Sequence, residues 1–210
     1  MRWAVLLACL LLPATATAQP ATQQAEPPDR AWAGSLETLF YFFDDDDPLP
    51  MAVGSADRRA LHLEARVQYE DRKTVSLWAG WNFEVGTTVQ LTIVPMIGAI
   101  VGRTDGVAPG LEVTLAWRTL ELYSEGEYVF STAPDREGDF GYNWSEMRWQ
   151  ARDWLALGLS AQRTREHRSE RTIDRGALVA ASWGRAEFAF RWFNYEEGSR
   201  FAIVSVALEM

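Results

Sequence analysis

The two histidines are the natural starting point for chemistry, because histidine can act as a general base. His62 lies two residues before Glu64, and the following run contains Ser76, so a serine, a histidine and an acid share one predicted face. No Gly-x-Ser-x-Gly elbow marks a serine nucleophile, and the second histidine, His167, lies in an arginine-rich segment. We therefore expect His62 to be structural, no residue to be catalytic and the protein not to be an enzyme.

Two charged segments are the other candidates for binding chemistry. Asp44 to Asp47 offer the oxygen ligands that Ca²⁺ and Mg²⁺ prefer, but consecutive carboxylates point alternately apart, so a solvated acidic tip is favoured. The segment from Arg163 to Arg175 contains five arginines interspersed with acids. It either contacts phosphorylated lipid through bidentate bonds or neutralises itself within a loop. We expect no metal and no cofactor.

The elements that carry these residues are predicted strands. Between Arg59 and Val85, apolar residues such as Leu61 and Leu63 alternate with polar ones, and the polar segment Asp71 to Lys73 interrupts the run. Successive side chains of a strand point to opposite faces, so this pattern predicts a hairpin with one apolar and one charged face. The apolar face would meet a core in a soluble protein and lipid in a transmembrane barrel.

Similar runs recur along the chain and give ten or eleven strand-like segments with turns between them. Two assignments remain open. If Arg118-Thr119 is a two-residue turn, ten strands follow Arg58 and the segment Trp32 to Phe43 is surplus. If the phase shift there is a bulge, Trp32 to Phe43 is the first strand. Pro48 and Pro50 are expected to end that segment, and Pro95 to cause a local break.

Three features favour a transmembrane barrel over a soluble sandwich. Most runs reach the nine to eleven residues that a tilted strand needs to cross a bilayer. Tight connections near Thr87, Thr119, Asp153 and Gly184 alternate with longer or more polar ones. Many of the ten tryptophans lie near the ends of runs, as interfacial girdles require, namely Trp32, Trp81, Trp117, Trp144, Trp154, Trp183 and Trp192.

The N-terminus and the overall charge set further bounds. Arg2, an apolar run and small residues up to Ala18 form a secretory signal peptide (1–18), which precedes a flexible leader (19–30) and the barrel (31–210). Cys9 is the only cysteine, so cleavage at Ala18 leaves no disulfide framework. Without Arg2, 19 basic residues face 29 acidic ones, a net charge of −10, which argues against a nucleic-acid partner.

With signal peptide, alternation and aromatic girdles together, the chain resembles the bacterial outer-membrane β-barrel proteins from Trp32 to Met210. Its last strand is similar to their assembly signal at Val204, Val206 and Leu208, although Met210 replaces the usual terminal aromatic residue. The resemblance implies an antiparallel up-and-down barrel, for which the segment count predicts about ten strands, within a range of ten to twelve. It also implies a Gram-negative outer membrane, with lipid and the barrel-assembly machinery as partners.

The charged face of the strands would then line the barrel lumen. If these charges pair, the barrel is structural or interacts through its surface, which is our main prediction; if water fills the lumen, the acidic excess makes a narrow cation-preferring, porin-like pore that passes small cations. A secreted sandwich or lipocalin-like ligand binder is the soluble alternative. The predicted lumen residues are His62, Glu64, Arg66, Glu121, Glu125, Glu127, Glu187 and Arg191, and a wider set adds Gln68, Glu84, Gln90, Thr92 and Glu112.

Overall fold

The computed structural model describes residues 31–44, 47–132, 139–166, 172–194 and 200–210, and these residues form thirteen β-strands. The predicted signal peptide and leader lie outside the described residues. Within those ranges, no helix is long and apolar enough to cross a membrane. The strands are β1 (Ala33–Phe43), β2 (Leu49–Arg58), β3 (Leu61–Val67), β4 (Thr74–Trp81), β5 (Phe83–Val85), β6 (Val89–Gly102), β7 (Gly106–Trp117), β8 (Leu120–Ser131), β9 (Phe140–Arg152), β10 (Leu155–Glu166), β11 (Thr172–Trp183), β12 (Ala186–Phe193) and β13 (Phe201–Glu209).

Twelve of these strands close into an antiparallel up-and-down barrel. Consecutive strands pair from β1 to β4 and from β6 to β13, β4 pairs with β6, and β1 pairs with β13. The short strand β5 lies outside this ring and, among the described strands, pairs only with β6. Our prediction of an all-β antiparallel barrel is confirmed, but the count of about ten strands is corrected to twelve, with one strand outside the ring.

The ring has more strands than predicted mainly because of β2, which we left out of the count because Pro48 and Pro50 lie at its beginning. Pro50 lies at the beginning of β2 opposite Phe40, whereas pairing with β3 begins only at Ala52. The Pro50 carbonyl accepts a hydrogen bond of 2.9 Å from the Gln68 side chain. A proline is tolerated at a strand end, so β2 forms despite its sequence.

With β2 included, the open question about Arg118-Thr119 is resolved. These two residues form the turn between β7 and β8, and Arg118 adopts a positive φ of 55°. The segment Ala33–Phe43 is nonetheless a strand of the ring, because β2 restores the even number that antiparallel closure requires.

The break expected at Pro95 occurs in the neighbouring strand. β6 is continuous through Pro95, but its partner is interrupted: Gly80 pairs with Met96, and the next pair is Phe83 with Ile93. Pro95 has no N–H to give to this ladder. The backbone N–H of Asn82, in the interruption, donates instead to the Ala60 carbonyl at 2.7 Å.

The two ends of the barrel differ in their connections. Five tight turns lie at the end where β1 begins and β13 ends, and where Gly34 and Met210 exchange backbone hydrogen bonds of 3.3 and 2.8 Å. We call this the terminal end, and the opposite end the loop end. The tight turns comprise residues 59–60, 86–88, 118–119, 153–154 and 184–185. At the loop end, the connection at Asp105 is also short and spans residues 103–105.

The outward face of the barrel is apolar. Exposed aliphatic side chains such as Leu77, Ile97 and Leu159 cover its middle, and aromatic side chains lie toward both ends. Trp144 is an exception to the predicted girdle, because it is only 7% exposed and faces the lumen. The exposed girdle residues are Trp32, Trp81, Trp117, Trp154 and Trp183 toward the terminal end and Phe40, Phe42, Tyr128, Phe130 and Trp192 toward the loop end.

Candidate functional site in the barrel lumen

Strand alternation directs a set of charged side chains into the barrel. In β3, His62, Glu64 and Arg66 are buried while Leu63 and Val67 between and beyond them are exposed. A strand with period two places these two groups on opposite faces. β3 therefore turns its polar face to the interior and its apolar face outward, the reverse of a strand in a soluble barrel or sandwich.

Arg66 is the centre of the first lumen cluster. Its guanidinium lies 2.8 Å from Glu125 and 2.8 Å from Glu127 of β8, donates to Glu64 of its own strand, and lies 3.9 Å from Glu70. One cation thus faces four carboxylates while only 1% exposed. We call these five residues the Arg66 cluster.

Aromatic rings enclose the Arg66 cluster. The guanidinium carbon lies 4.5 Å from the ring centre of Trp78 and 4.6 Å from that of Tyr69. A desolvated guanidinium between aromatic faces gains cation–π stabilisation. The cluster is therefore held by rings as well as by charges.

A second cluster, centred on Arg191, joins side chains of β9 and β12. Arg191 Nε donates to Glu146 at 2.5 Å, and Arg148 lies 2.7 Å from the same carboxylate. Arg148 also pairs with Glu187 at 2.9 Å, and Glu37 lies 4.0 Å from Arg191. In this Arg191 cluster, two cations and three acids nearly balance.

A cavity of about 260 Å³ lies between the two clusters. Its lining contains five glutamates and three arginines, so acids outnumber arginines. Each of the three arginines belongs to one of the two clusters. The charged lining residues are Glu37, Glu64, Glu112, Glu125, Glu146, Arg66, Arg148 and Arg191, with His62 beside them.

Toward the loop end, apolar side chains pack inside the barrel. Phe193 and Phe201 stack with their ring centres 4.7 Å apart, and Trp144 packs on Phe193 at 5.8 Å. This packing narrows the described part of the lumen on that side. Its buried members are Leu39, Tyr41, Trp144, Phe193, Phe201 and Ile203.

The connection between β3 and β4 also contributes side chains to the lumen. The Tyr69 hydroxyl donates to Glu125 at 3.0 Å, and its ring meets Tyr142 edge to face at 5.8 Å. Glu70 accepts hydrogen bonds from Ser76 and, at 3.2 Å, from the indole of Trp78. This short connection therefore folds inward.

Most predicted lumen residues lie inside the barrel. Glu121 is exposed near the turn at the terminal end, and Glu187 is half-buried. Of the wider set, Glu84 and Gln90 are exposed. The remaining residues of the first set are buried, namely His62, Glu64, Arg66, Glu125, Glu127 and Arg191.

Sequence reasoning missed Glu146 and Arg148, which hold the second cluster together. Tyr142, Trp144, Glu146 and Arg148 follow one another with a period of two, and this pattern could have identified them as one face of a strand. The pattern is hard to see in the sequence because the opposite face also carries large side chains, namely outward-facing Met147 and Trp149. Aromatic and long side chains thus occur on both faces of β9.

The hydrolase alternative gains no geometric support. Ser76 donates its hydroxyl hydrogen bond to Glu70 and accepts one of 2.9 Å from Trp78, while His62 Nδ1 bonds Asp57 at 2.8 Å. Ser76 and His62 are thus each engaged with other partners. The arrangement does not couple a nucleophile to a base.

The two charged segments of the sequence analysis lie only partly within the described residues. Exposed Asp44 lies 3.6 Å from Arg200, whereas residues 45–46 lie outside the described part. Of the arginine-rich segment, residues 167–171 also lie outside it.

Comparison with solved structures identifies the architecture. The KdgM porin superposes with a TM-score of 0.64 at 10% identity, covering 84% of this chain and 99% of the porin. The fold is that of an outer-membrane porin barrel. A structure described as the KdgM porin in complex with disordered oligogalacturonate gives a TM-score of 0.62 at 9% identity over 84% and 99% of the two chains, and the NanC porin gives 0.58 at 6% over 83% and 100%.

The predicted resemblance to bacterial outer-membrane β-barrel proteins is confirmed at the level of the fold. No protein-family model matches the sequence, and no curated protein does. The soluble alternatives, a sandwich or a lipocalin-like cup, are disfavoured by the porin fold and the apolar exterior. Both the KdgM and the NanC neighbours are described as porins.

Proposed function

We propose that this protein is a narrow channel of the outer membrane that prefers small cationic solutes. The observation that supports this proposal is the lumen cavity of about 260 Å³, whose lining contains five glutamates and three arginines. Rings of acidic side chains favour cations in pores. Water in this cavity would therefore be an environment of negative potential.

The outer surface supports insertion into a bilayer. Its exposed side chains are apolar around the ring, and aromatic residues lie toward both ends, as at the two interfaces of a membrane. Exposed to water, an apolar surface of this extent would drive aggregation. The short turns, the beginning of β1 and the end of β13 then face the periplasm, and the loop end faces outward.

The pairing of the arginines strengthens the cation preference. Arg66, Arg148 and Arg191 each lie within 3 Å of at least one glutamate, so their charge is already compensated. The excess acids, of which Glu37 and Glu112 are examples, remain to attract mobile cations. An anion entering the cavity would meet this excess without an uncompensated guanidinium to bind it.

This lumen chemistry does not fit the ligand named for one of the structural neighbours. Oligogalacturonate is a chain of carboxylated sugars and therefore a polyanion. A wall with more carboxylates than guanidinium groups repels such a ligand. The common fold thus supports a channel, whereas the solute class follows from the residues of this lumen.

Single-channel recording in planar bilayers tests the proposal. Under a tenfold KCl gradient, a cation-preferring channel gives a reversal potential toward the K⁺ equilibrium potential. We expect Glu37→Gln, which removes a cavity carboxylate beside Arg191, to shift that potential toward zero. Asp153→Asn removes the same charge from an exposed turn and should leave it unchanged.

Two outcomes would contradict the channel. Absence of conductance steps from folded, heat-modifiable protein would support the structural barrel instead. A reversal potential toward the Cl⁻ equilibrium potential would show that the paired arginines dominate the lumen.

A further inference from the structure

The imidazole of His62 is held in a defined orientation by groups behind it. Its Nδ1 lies 2.8 Å from Asp57 Oδ1, and the same oxygen accepts a hydrogen bond of 2.6 Å from Asn82. An imidazole that donates from Nδ1 to a carboxylate presents the lone pair of Nε2 on its other side. Metal-binding histidines commonly have this carboxylate partner.

The Nε2 atom of His62 is buried and has no hydrogen-bond partner among the described residues. The residue is only 6% exposed, and Nε2 is directed toward Glu64, whose Oε2 lies 3.9 Å away. A buried polar atom without a partner is uncommon and calls for an explanation, such as a bound ion. Nε2 is therefore available to a ligand on the cavity side.

Two carboxylates converge on this nitrogen. Glu64 accepts the hydrogen bond from Arg66 Nε through Oε1, which leaves Oε2 directed toward His62. Glu112 approaches His62 from β7, a different strand of the barrel. One potential ligand atom from each of His62, Glu64 and Glu112 lies within 4.8 Å of the other two. All three residues line the cavity.

We propose that His62, Glu64 and Glu112 bind a first-row divalent transition-metal ion, with Zn²⁺ the best fit. One imidazole nitrogen and two carboxylate oxygens are suitable ligands for Zn²⁺, whereas an all-oxygen set would favour Mg²⁺ or Ca²⁺. Two ligands of one Zn²⁺ ion lie at most about 4 Å apart, so binding requires a small closing movement of the side chains.

The site has the features of an exchangeable metal position. Three protein ligands leave the fourth coordination position open toward the cavity, where water or a passing solute can occupy it. Asp57 acts from behind as the residue that orients His62. This metal site goes beyond the channel proposal, because binding needs only the folded barrel and not conduction.

Zn²⁺ titration of tag-free, detergent-folded protein by calorimetry tests the site. We expect one equivalent to bind, and His62→Ala and Glu112→Gln each to weaken binding at least tenfold. Asp57→Asn should weaken it by about 10–100-fold, the range for partners of metal-binding histidines. His167→Ala removes the other histidine and Asp153→Asn removes one exposed charge, and both should bind as the unmodified chain does.

Electron paramagnetic resonance with Cu²⁺ identifies the nitrogen without disturbing the site. In His167→Ala protein, His62 supplies the only imidazole, so the spectrum should show coupling to that ring, and the additional change His62→Ala should abolish it. Absence of Zn²⁺ binding, or equal binding by all variants, would overturn the proposal. The channel proposal is tested separately by K⁺ conductance, so either can fail alone.

Discussion

Arg66 of β3 and Glu127 of β8 form an ion pair of 2.8 Å across the barrel interior, although 61 residues separate them in the chain. Strands β4, β6 and β7 lie between them along this side of the ring, so the pair bridges the lumen. Three further acids share the same guanidinium. The charge compensation of four buried carboxylates therefore depends on the single guanidinium of Arg66.

Arg66→Met should destabilise the barrel more than any single ion-pair loss at the surface. Removing one partner of a buried ion pair costs about 3–5 kcal/mol, because the remaining charge is left uncompensated. Here four carboxylates lose their common cation. Urea unfolding in lipid vesicles measures the loss, with exposed Arg152→Met as the matched control. Equal midpoints for the two variants would contradict a central role for Arg66.

Arg191→Met should cost less than Arg66→Met. Glu146, the main partner of Arg191, keeps its pair of 2.7 Å with Arg148 and its hydrogen bond of 3.0 Å from Ser160. The carboxylate is thus still compensated after the substitution. The same unfolding assay compares the two variants, and the double variant Arg148→Met with Arg191→Met should lose more than the sum of the single losses. Simple additivity would argue that the two arginines act independently.

The sequence predicted those parts of the fold in which one face is strictly apolar. In β3, His62, Glu64 and Arg66 alternate with apolar residues, and the structure buries these three side chains while it leaves Leu63 and Val67 exposed. The reason is physical, because lipid excludes charge from one face and the lumen accepts it on the other. For such a strand, the sequence alone indicates which face points to the lumen.

Other parts depend on neighbours that a linear pattern does not reveal. β2 lacks alternation, and its register is set by ladders to β1 and β3, such as Val53 with Glu37 on one side and Arg66 on the other. Trp144 was expected in the girdle, but the pairing of β9 turns it inward. The approach of Glu112 to His62 likewise follows only from ring closure, so the sequence analysis expected no metal ligands.

Gly98→Ala should destabilise the barrel while Gly54→Ala should not. A Cβ on Gly98 would lie within 2.7 Å of three ring carbons of Trp78, which itself packs on Arg66, whereas a Cβ on Gly54 meets its nearest atom at 3.8 Å. Overpacking of this kind costs about 1–3 kcal/mol. The urea midpoints of the two variants provide the comparison. A similar midpoint for both would mean that Trp78 moves aside at no cost.

Tyr69→Ala should increase single-channel conductance. The Tyr69 ring occupies the lumen beside Arg66 and Tyr142, so its removal leaves a space the size of an aromatic side chain at that point of the lumen. Tyr69→Phe retains the ring and loses only the hydrogen bond to Glu125, and it should conduct like the unmodified channel. Arg72→Ala alters an exposed residue of the same connection and serves as the matched control.

The pattern across these three variants separates two causes of a conductance change. If the ring itself restricts the lumen, only Tyr69→Ala conducts more. If Tyr69→Phe conducts equally more, the bond to Glu125 holds the connection inward, and its release rather than the lost volume opens the path. If Tyr69→Ala leaves conductance unchanged, the restriction lies instead with the apolar packing around Phe193 and Phe201.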